Sequence, residues 1–249
     1  MGCRMENADF LAFCEEIRAV FAENGMAALL TPTACEQLYR LTAHMLAENE
    51  RYNLTAITDQ PGIILRHYAD SLLCARYLTP GTRLLDVGCG AGFPSLPLAI
   101  CRPDLSITAL DATEKRVHYV AGCADLLSLS NVQTVCARAE DYAKGEARES
   151  FDCVTARAVA NLRTLAELCI PYVRVGGSFL AMKAKSAEEE LAAAQAGIGT
   201  LGCRLEKKEE ILLSGGGESL CRTALIFKKH KPTPENYPRP YARMLKKPL

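Results

Sequence analysis

The sequence predicts a doubly wound α/β fold: a mostly parallel sheet with a C-terminal antiparallel hairpin, preceded by an N-terminal helical extension. Three observations predict it. Beyond Pro80-Gly81, short apolar runs alternate with helical stretches, and such alternation implies parallel strands joined by right-handed crossovers. A glycine-rich turn stands between the first of these runs and the helix that follows. Near the end, two apolar runs are separated only by Ser214-Gly-Gly-Gly-Glu218, too short for a helix, so they pair antiparallel.

Before Pro80 the apolar period is helical. Residues about 8–24 place Phe10, Phe13, Cys14, Ile17 and Phe21 on one face, and Gly25 can end that helix in the left-handed conformation. Thr33-Ala-Cys-Glu36 has capping-box spacing ahead of Leu38, Leu41, Met45 and Leu46. A third helix over about 61–77 carries Ile64, Leu65, Tyr68 and Leu72. The strands then read Arg83–Val87, Ser106–Leu110, Val132–Ala137, Asp152–Ala156 and Ser178–Met182, with the hairpin at Glu209–Leu213 and Leu220–Lys228. Helices fill the gaps to about 101, over about 113–127, 161–173 and 186–197. Three regions follow: an extension over 1–79, a core domain over 80–229 and a tail over 230–249.

Composition narrows the class. The 249 residues carry 29 Lys plus Arg, 29 Asp plus Glu and 49% hydrophobic side chains, which excludes a wholly disordered chain. No apolar run reaches the roughly 18 residues of a membrane span, and the first ten residues lack a secretory signal's apolar stretch. The chain is therefore placed in the cytoplasm. Its twelve cysteines stand at least 11 residues apart, whereas zinc sites usually bring two thiolates together across a short turn. They read as reduced packing residues, and no metal is expected. The zero net charge hides an asymmetry: Lys228–Leu249 has seven Lys or Arg against one acid and five of the twelve prolines. That composition reads as an extended, poorly packed basic segment, either a solubilising terminus or an arm for polyanions.

The strongest local signal is Leu84-Leu-Asp-Val-Gly-Cys-Gly-Ala-Gly-Phe-Pro94, a buried strand running into Gly88, Gly90 and Gly92 and then a helix. Glycines let the backbone turn sharply and approach a ligand with no Cβ in the way. The spacing is not the G-x-G-x-x-G of a dinucleotide site, and Asp86 just before the loop would repel a pyrophosphate while suiting an ammonium group. Asp86 can equally be a structural acceptor for loop amides. Asp111 closes the next strand, where a carboxylate can accept from both ribose hydroxyls; its other reading is a cap for the helix after Thr113. Cys136-Ala-Arg-Ala-Glu-Asp141 can flank an adenine ring. Together these features describe S-adenosylmethionine.

The loop resembles the first motif of class I methyltransferases, and its Gly-Phe-Pro-x-x-Pro ending is similar to that of one family. That family is ribosomal RNA small-subunit methyltransferase G, also called glucose-inhibited division protein B. Tyr52-Asn-Leu-Thr55, Arg66-His-Tyr-Ala-Asp-Ser71, Leu110-Asp-Ala-Thr-Glu-Lys-Arg-Val117 and the Ala-Arg-Ala over 156–158 also resemble its motifs, in the same order, across about 48–185. The resemblance implies N7 methylation of one guanine in 16S ribosomal RNA, with a small-subunit or RNA partner. It implies cofactor contacts at Gly88, Phe93, Ala139, Glu140 and Arg157, with Asp111 on the ribose. The chain is taken as a monomer that engages neither DNA nor membranes.

Chemistry agrees. Past the fourth strand there is neither Asp/Asn-Pro-Pro-aromatic nor Pro-Cys, and Cys153 lies inside the strand. Guanine N7 offers an in-plane lone pair and carries no proton, so neither a base nor a covalent adduct is required. Catalysis then rests on orienting a splayed-out base. Arg138, Arg157, Lys183, Lys115 and Arg116 are the candidates for holding RNA, with Arg157 and Lys183 positioning the base. For Arg157 the other reading is a salt bridge, and for Lys115 and Arg116 a solvated helix face. His67 and Asp70, one helical turn apart, read as packing groups, and whether Tyr52 and Asn53 cover the pocket stays open. Competing functions are methylation of another RNA or a small molecule, and a non-catalytic RNA-binding module.

Overall fold

The computed structural model describes residues 8–157, 160–183 and 187–249. Seven strands form one sheet: β1 (Arg83–Val87), β2 (Ser106–Asp111), β3 (Val132–Cys136), β4 (Phe151–Ala156), β5 (Val173–Lys183), β6 (Cys203–Gly215) and β7 (Glu218–Lys229). Their order is β3-β2-β1-β4-β5-β7-β6. The first five strands are parallel, and β7 inserts antiparallel between β5 and β6, with Phe179 opposite Phe227. Strand order reverses between β1 and β4, and in such sheets a crevice opens at the carboxyl ends of those strands.

The extension holds α1 (Ala8–Glu23) and α2 (Pro32–Tyr52). α1 buries Phe13, Cys14, Ile17 and Phe21, as its period demands. Gly25 follows at φ +69°, and the Met26 N–H closes the end by donating to Phe21 O at 2.7 Å. α2 begins earlier than the capping box suggests. Its cap is Thr31, whose Oγ1 accepts from Ala34 N at 3.1 Å, and Pro32 occupies the first turn. Proline's fixed φ and missing N–H suit that position, which leaves Thr33 inside the helix.

The third helical stretch is composite: α3 (Gln60–Gly62), a π-helical turn (Ile63–Ala69), α4 (Asp70–Leu72) and a 3-10 turn (Leu73–Tyr77). Asp59 caps it, accepting from Gly62 N at 2.8 Å. The π turn buries Ile63, Ile64, Leu65, His67, Tyr68 and Ala69. A wide turn with nearly every side chain inside brings polar His67 and Asp70 into the interior together.

The remaining helices are α5 (Ser95–Cys101), α6 (Glu114–Leu126), α7 (Ala139–Tyr142), α8 (Leu162–Cys169), α9 (Ala187–Thr200) and α10 (Tyr241–Lys246). One apolar cluster joins α1, α2 and the composite helix to α5, α6 and one face of the sheet, through Phe13, Leu38, Tyr68, Leu84, Leu96 and Val120. A second lies on the other face, through Leu85, Val154, Leu165, Phe179, Ile198 and Phe227. Successive strand residues point to opposite faces, so Leu84 and Leu85 feed different clusters. Each such buried side chain is worth about 1.5–3 kcal/mol.

Strands β5 and β6 start well before the sequence suggests. Pairing from Cys203 opposite Lys229 to Glu210 opposite Thr223 runs through charged residues, whose apolar period is too weak to read. Nine of the eleven described cysteines are buried, Cys136 is exposed and Cys221 half-buried, while Cys3 lies outside the described residues. Cys153 is among the buried nine, and burial pushes its thiol far above the ordinary range. Among the described residues no helix is long and apolar enough to cross a membrane.

The C-terminal segment departs from expectation. An extended, poorly packed tail is not what the chain forms. Lys229 is wholly buried and pairs with Glu149 at 2.8 Å, Arg239 pairs with buried Glu167 at 2.5 Å, and Met244 on α10 is fully covered. Two of the seven cations are therefore tied to acids elsewhere in the chain, and the prolines shape a strap that lies along the core.

Candidate active site

The loop after β1 is pinned to β2. Gly88 N and Cys89 N both donate to Leu110 O, at 2.7 and 3.0 Å. Gly88, Gly90 and Gly92 have φ of +75°, +57° and +85°, a region side chains rarely adopt. Their reasons differ. A Cβ on Gly90 would meet nothing closer than Gly88 O at 4.0 Å, whereas one on Gly92 would strike Leu96 Cδ1 at 2.4 Å. Gly90 keeps space for a ligand, and Gly92 lets α5 pack.

Asp111 at the end of β2 ties this loop to the next helix: its Oδ2 accepts from Gly90 N at 3.0 Å and its Oδ1 from Thr113 N at 2.8 Å. A carboxylate oxygen has lone pairs for more than one donor, so capping does not exhaust it. Asp86 lies deeper. It is fully buried, its Oδ2 accepts from Ser95 Oγ at 2.5 Å, and its Oδ1 has no partner among the described residues. Burial pushes its carboxyl up to about 6, while the Ser95 hydrogen bond and the Arg157 charge pull it down.

Above the loop is a cavity of about 440 Å³, bounded by Gly88–Ala91, Phe93, Asp111, Arg116, Ala137–Glu140 and Arg157 and also by Leu54, His67, Leu168 and Tyr241. It sits at the carboxyl ends of β1, β2, β3 and β4, where the strand order reverses. Phe93 stacks on His67, with ring centroids 4.5 Å apart and planes 7° from parallel. The Arg157 guanidinium lies 5.4 Å from the same Phe93 ring.

Arg157 is held from the composite helix. Its Nη1 donates to Asp70 Oδ2 at 3.1 Å and to Arg66 O at 3.0 Å. The second oxygen of Asp70 accepts from Arg222 Nε on β7 at 2.7 Å. Both arginines thus fix one buried carboxylate, and Nε and Nη2 of Arg157 keep no hydrogen-bond partner among the described residues. His67 Nε2 lies 2.8 Å from Thr55 Oγ1, which already accepts from Ile57 N at 3.0 Å. Nδ1 is buried without a partner among the described residues. Burial, and then the Arg157 charge, lower the imidazole to about 4 against a smaller opposite pull from Asp70. It is neutral at pH 7.

Several sequence candidates converge on this cavity: Gly88, Gly90, Phe93, Asp111, Arg116, Arg138, Ala139, Glu140 and Arg157 all line it. Glu140 is buried and accepts from Arg138 Nε at 2.7 Å. Asp86 and Gly92 do not line it; both lie beneath the loop, where they shape it. Lys183 does not either: its Nζ pairs with Glu190 Oε2 at 2.7 Å and donates to Ala160 O at 3.3 Å. Lys115 is exposed at the start of α6. Leu54 rather than Tyr52 or Asn53 reaches the wall.

Two residues escaped the sequence reading. In the sequence His67 reads as a packing group, yet it stacks on Phe93 and lines the cavity. Tyr241 comes from the strap, where composition gave no hint of a pocket. A hint for His67 existed in its place beside Arg66 and Asp70, but the partners Phe93 and Arg157 are tertiary.

Comparison with known proteins gives this site a lineage. The family model described as rRNA small subunit methyltransferase G matches residues 34–212. The ribosomal RNA small subunit methyltransferase G of Leuconostoc citreum is 43% identical over 235 residues, covering 92% of this chain and 97% of that one. Its counterpart in Staphylococcus carnosus is 44% identical over 220 residues, covering 86% and 90%. Among solved structures, M. jannaschii TYW2 in complex with AdoMet aligns with a TM-score of 0.53 at 17% identity, over 70% of this chain and 79% of that chain. The [4+2]-cyclase SpnF aligns at 0.52 and 16% identity, over 78% and 94%. Those two likenesses bear on the fold alone. The coverage and identity of the curated relatives do more: the chain belongs to the ribosomal RNA small subunit methyltransferase G family.

Proposed function

We propose that this chain transfers the methyl group of S-adenosylmethionine to N7 of a guanine in 16S ribosomal RNA, on naked RNA or within the small subunit. The observation that carries the reading is that the glycine loop, Asp111, Phe93 and Arg157 all line one cavity. Groups suited to an adenosine and groups suited to a nucleobase therefore meet in one space, of a volume ordinary for a small-ligand site.

The residues fit the cofactor. Gly90 leaves room where a Cβ would project, Asp111 retains lone pairs for ribose hydroxyls, and Ala139 and Glu140 border the purine end. Asp86, beneath the loop and bonded to Ser95, would set a carboxylate under the cofactor's amino-acid end. When bound, S-adenosylmethionine supplies an electrophilic methyl group on a sulfonium. The chain's own part is positioning. Guanine N7 needs no proton removed, and the titratable groups around the cavity agree: Glu140 is occupied by Arg138 and His67 is neutral and bonded to Thr55. Arg157, clamped by Asp70, offers free N–H groups to guanine acceptors or to a phosphate. Alignment of this sort can supply several kcal/mol, up to about 7–11.

Arg116 and Arg138 stand half-exposed at the rim of the cavity and, with Lys115, are the cations best placed for phosphates. Lys183 is held by Glu190 and serves the β5–α9 corner first. Small subunits lacking the modification, incubated with methyl-labelled S-adenosylmethionine, should take label at a single guanine whose N7-methylation is revealed by reductive strand cleavage. Label on a ring carbon or an exocyclic amine, or none at all, would overturn the reading.

A further inference from the structure

The contacts of the last twenty residues lead to one side chain in the cavity wall. Buried Lys229 starts the strap, with Nζ donating to Ile170 O at 3.0 Å and Thr233 Oγ1 at 2.7 Å. Arg148 then holds the carbonyls of Thr233 and Tyr237, each at 2.8 Å. Arg239 is clamped by Glu167 through its main-chain N–H at 2.9 Å and its Nε at 2.7 Å. Two residues later Tyr241 opens α10, and Met244 buries itself on the same helix.

Tyr241 lines the cavity beside Ala139, Glu140 and Leu168, and its ring lies 5.6 Å from the Arg138 guanidinium carbon. A segment built only to solubilise, or only to catch RNA, has no need of two acid clamps that deliver an aromatic ring to this wall. The matched region of the family model ends at residue 212, so Tyr241 reaches this wall from chain beyond it.

We propose that Tyr241 is a cofactor-binding residue, laid by the C-terminal strap against the purine end of S-adenosylmethionine, with Arg138 behind it. The inference rests on the cofactor reading above. An aromatic face beside a guanidinium is a sound surface for a purine, and the strap makes closure of the pocket depend on the end of the chain.

The chain contains no tryptophan, so Tyr241→Trp installs a single emitter in the wall. Titration of that full-length variant with S-adenosylmethionine should give a saturable emission change whose midpoint equals the calorimetric Kd. Tyr241→Ala should raise that Kd about tenfold, and Tyr241→Phe, which keeps the ring, should restore most of the affinity. Unchanged emission at a concentration that saturates calorimetrically, or a wild-type Kd in Tyr241→Ala, overturns the inference alone. No calorimetric binding by the wild-type chain overturns the cofactor reading and this inference with it. Should Tyr241→Ala fail to fold, the tryptophan titration still decides.

Discussion

A histidine without a proton at neutral pH does different work from one that carries it. His67 is buried against Phe93 and next to Arg157, and its imidazole is lowered from 6.5 to about 4. Between those values the unfolded chain binds a proton that the folded chain refuses. The stability tied to His67 is therefore whole above about pH 6.5 and is lost as pH falls toward 4, about 2 kcal/mol of it between pH 7 and 5. Asp86 works the other way: its carboxyl is raised from 3.8 to about 6, so its burial grows more costly as pH rises through that window. A single pH–stability curve would blend the two, and a variant separates them. The gap in unfolding free energy between wild type and His67→Gln should narrow by about 2 kcal/mol from pH 7 to 5, read from denaturant midpoints. A gap that stays constant would mean the imidazole titrates normally.

Asp111 carries two tasks at the same scale. Its oxygens already hold Gly90 N and Thr113 N, so the carboxylate orders the loop that it also borders. Asp111→Ala should weaken S-adenosylmethionine binding by about 1–3 kcal/mol, through lost charge-assisted hydrogen bonds. Asp111→Asn, with one acceptor oxygen left, should fall between. Calorimetry giving the wild-type Kd for the alanine variant would remove Asp111 from the pocket chemistry.

Among elements, the strap shows best what pairing does that composition hides. Glu167 is fully buried and its partner Arg239 nearly so. Glu167→Ala would leave a guanidinium unpaired in a covered site, a loss of about 3 kcal/mol, and should also loosen Tyr241. Denaturant midpoints measure the first effect; an unchanged midpoint would mean that the strap's other anchors, Lys229, Arg148 and Met244, hold it without the Glu167 pair. The strap's seven cations and five prolines are local facts, whereas Glu149 and Glu167 lie 84 and 72 residues away from Thr233 and Arg239. The fold is legible in the sequence where it uses local period. Leu84–Val87, the glycine loop and the α/β alternation gave the sheet and the place of the cavity. The end of β4 put Arg157 at the crevice, because carboxyl ends of parallel strands face it. What period cannot tell is the partner. Asp70 reaches Arg157 and Arg222 across the fold, Glu190 removes Lys183 from the rim, and Asp86 turns under the loop to Ser95. Each of those is a tertiary contact between groups that look equally free in sequence.

At the scale of the whole molecule, the chain has a formal net charge of zero yet a polyanionic substrate is proposed for it, so attraction must come from where cations stand. Many are already spent within the protein: Arg83 and Arg174 on Asp152, Arg66 on Glu218, Arg102 on Asp104. At the cavity rim Arg116 and Arg138 stay half-exposed although each faces an acid, Asp111 at 3.7 Å and Glu140 at 2.7 Å, and next to Tyr241 the strap turns Arg243, Lys246 and Lys247 outward. The strap thus has two sides, an inner one that closes the pocket and an outer one that faces an incoming backbone. Deleting it would test neither, because Lys229 and Arg239 bind it into the core. Replacing Arg243, Lys246 and Lys247 with Gln leaves those anchors in place. Each single-stranded phosphate contact contributes about 0.7 to the slope of log affinity against log salt. The triple variant should therefore bind 16S RNA with a slope shallower by about 2, while its calorimetric Kd for S-adenosylmethionine stays at the wild-type value. An unaltered slope would send the RNA over another face of the molecule, and a weakened cofactor Kd would mean that the outer side of the strap also shapes the pocket.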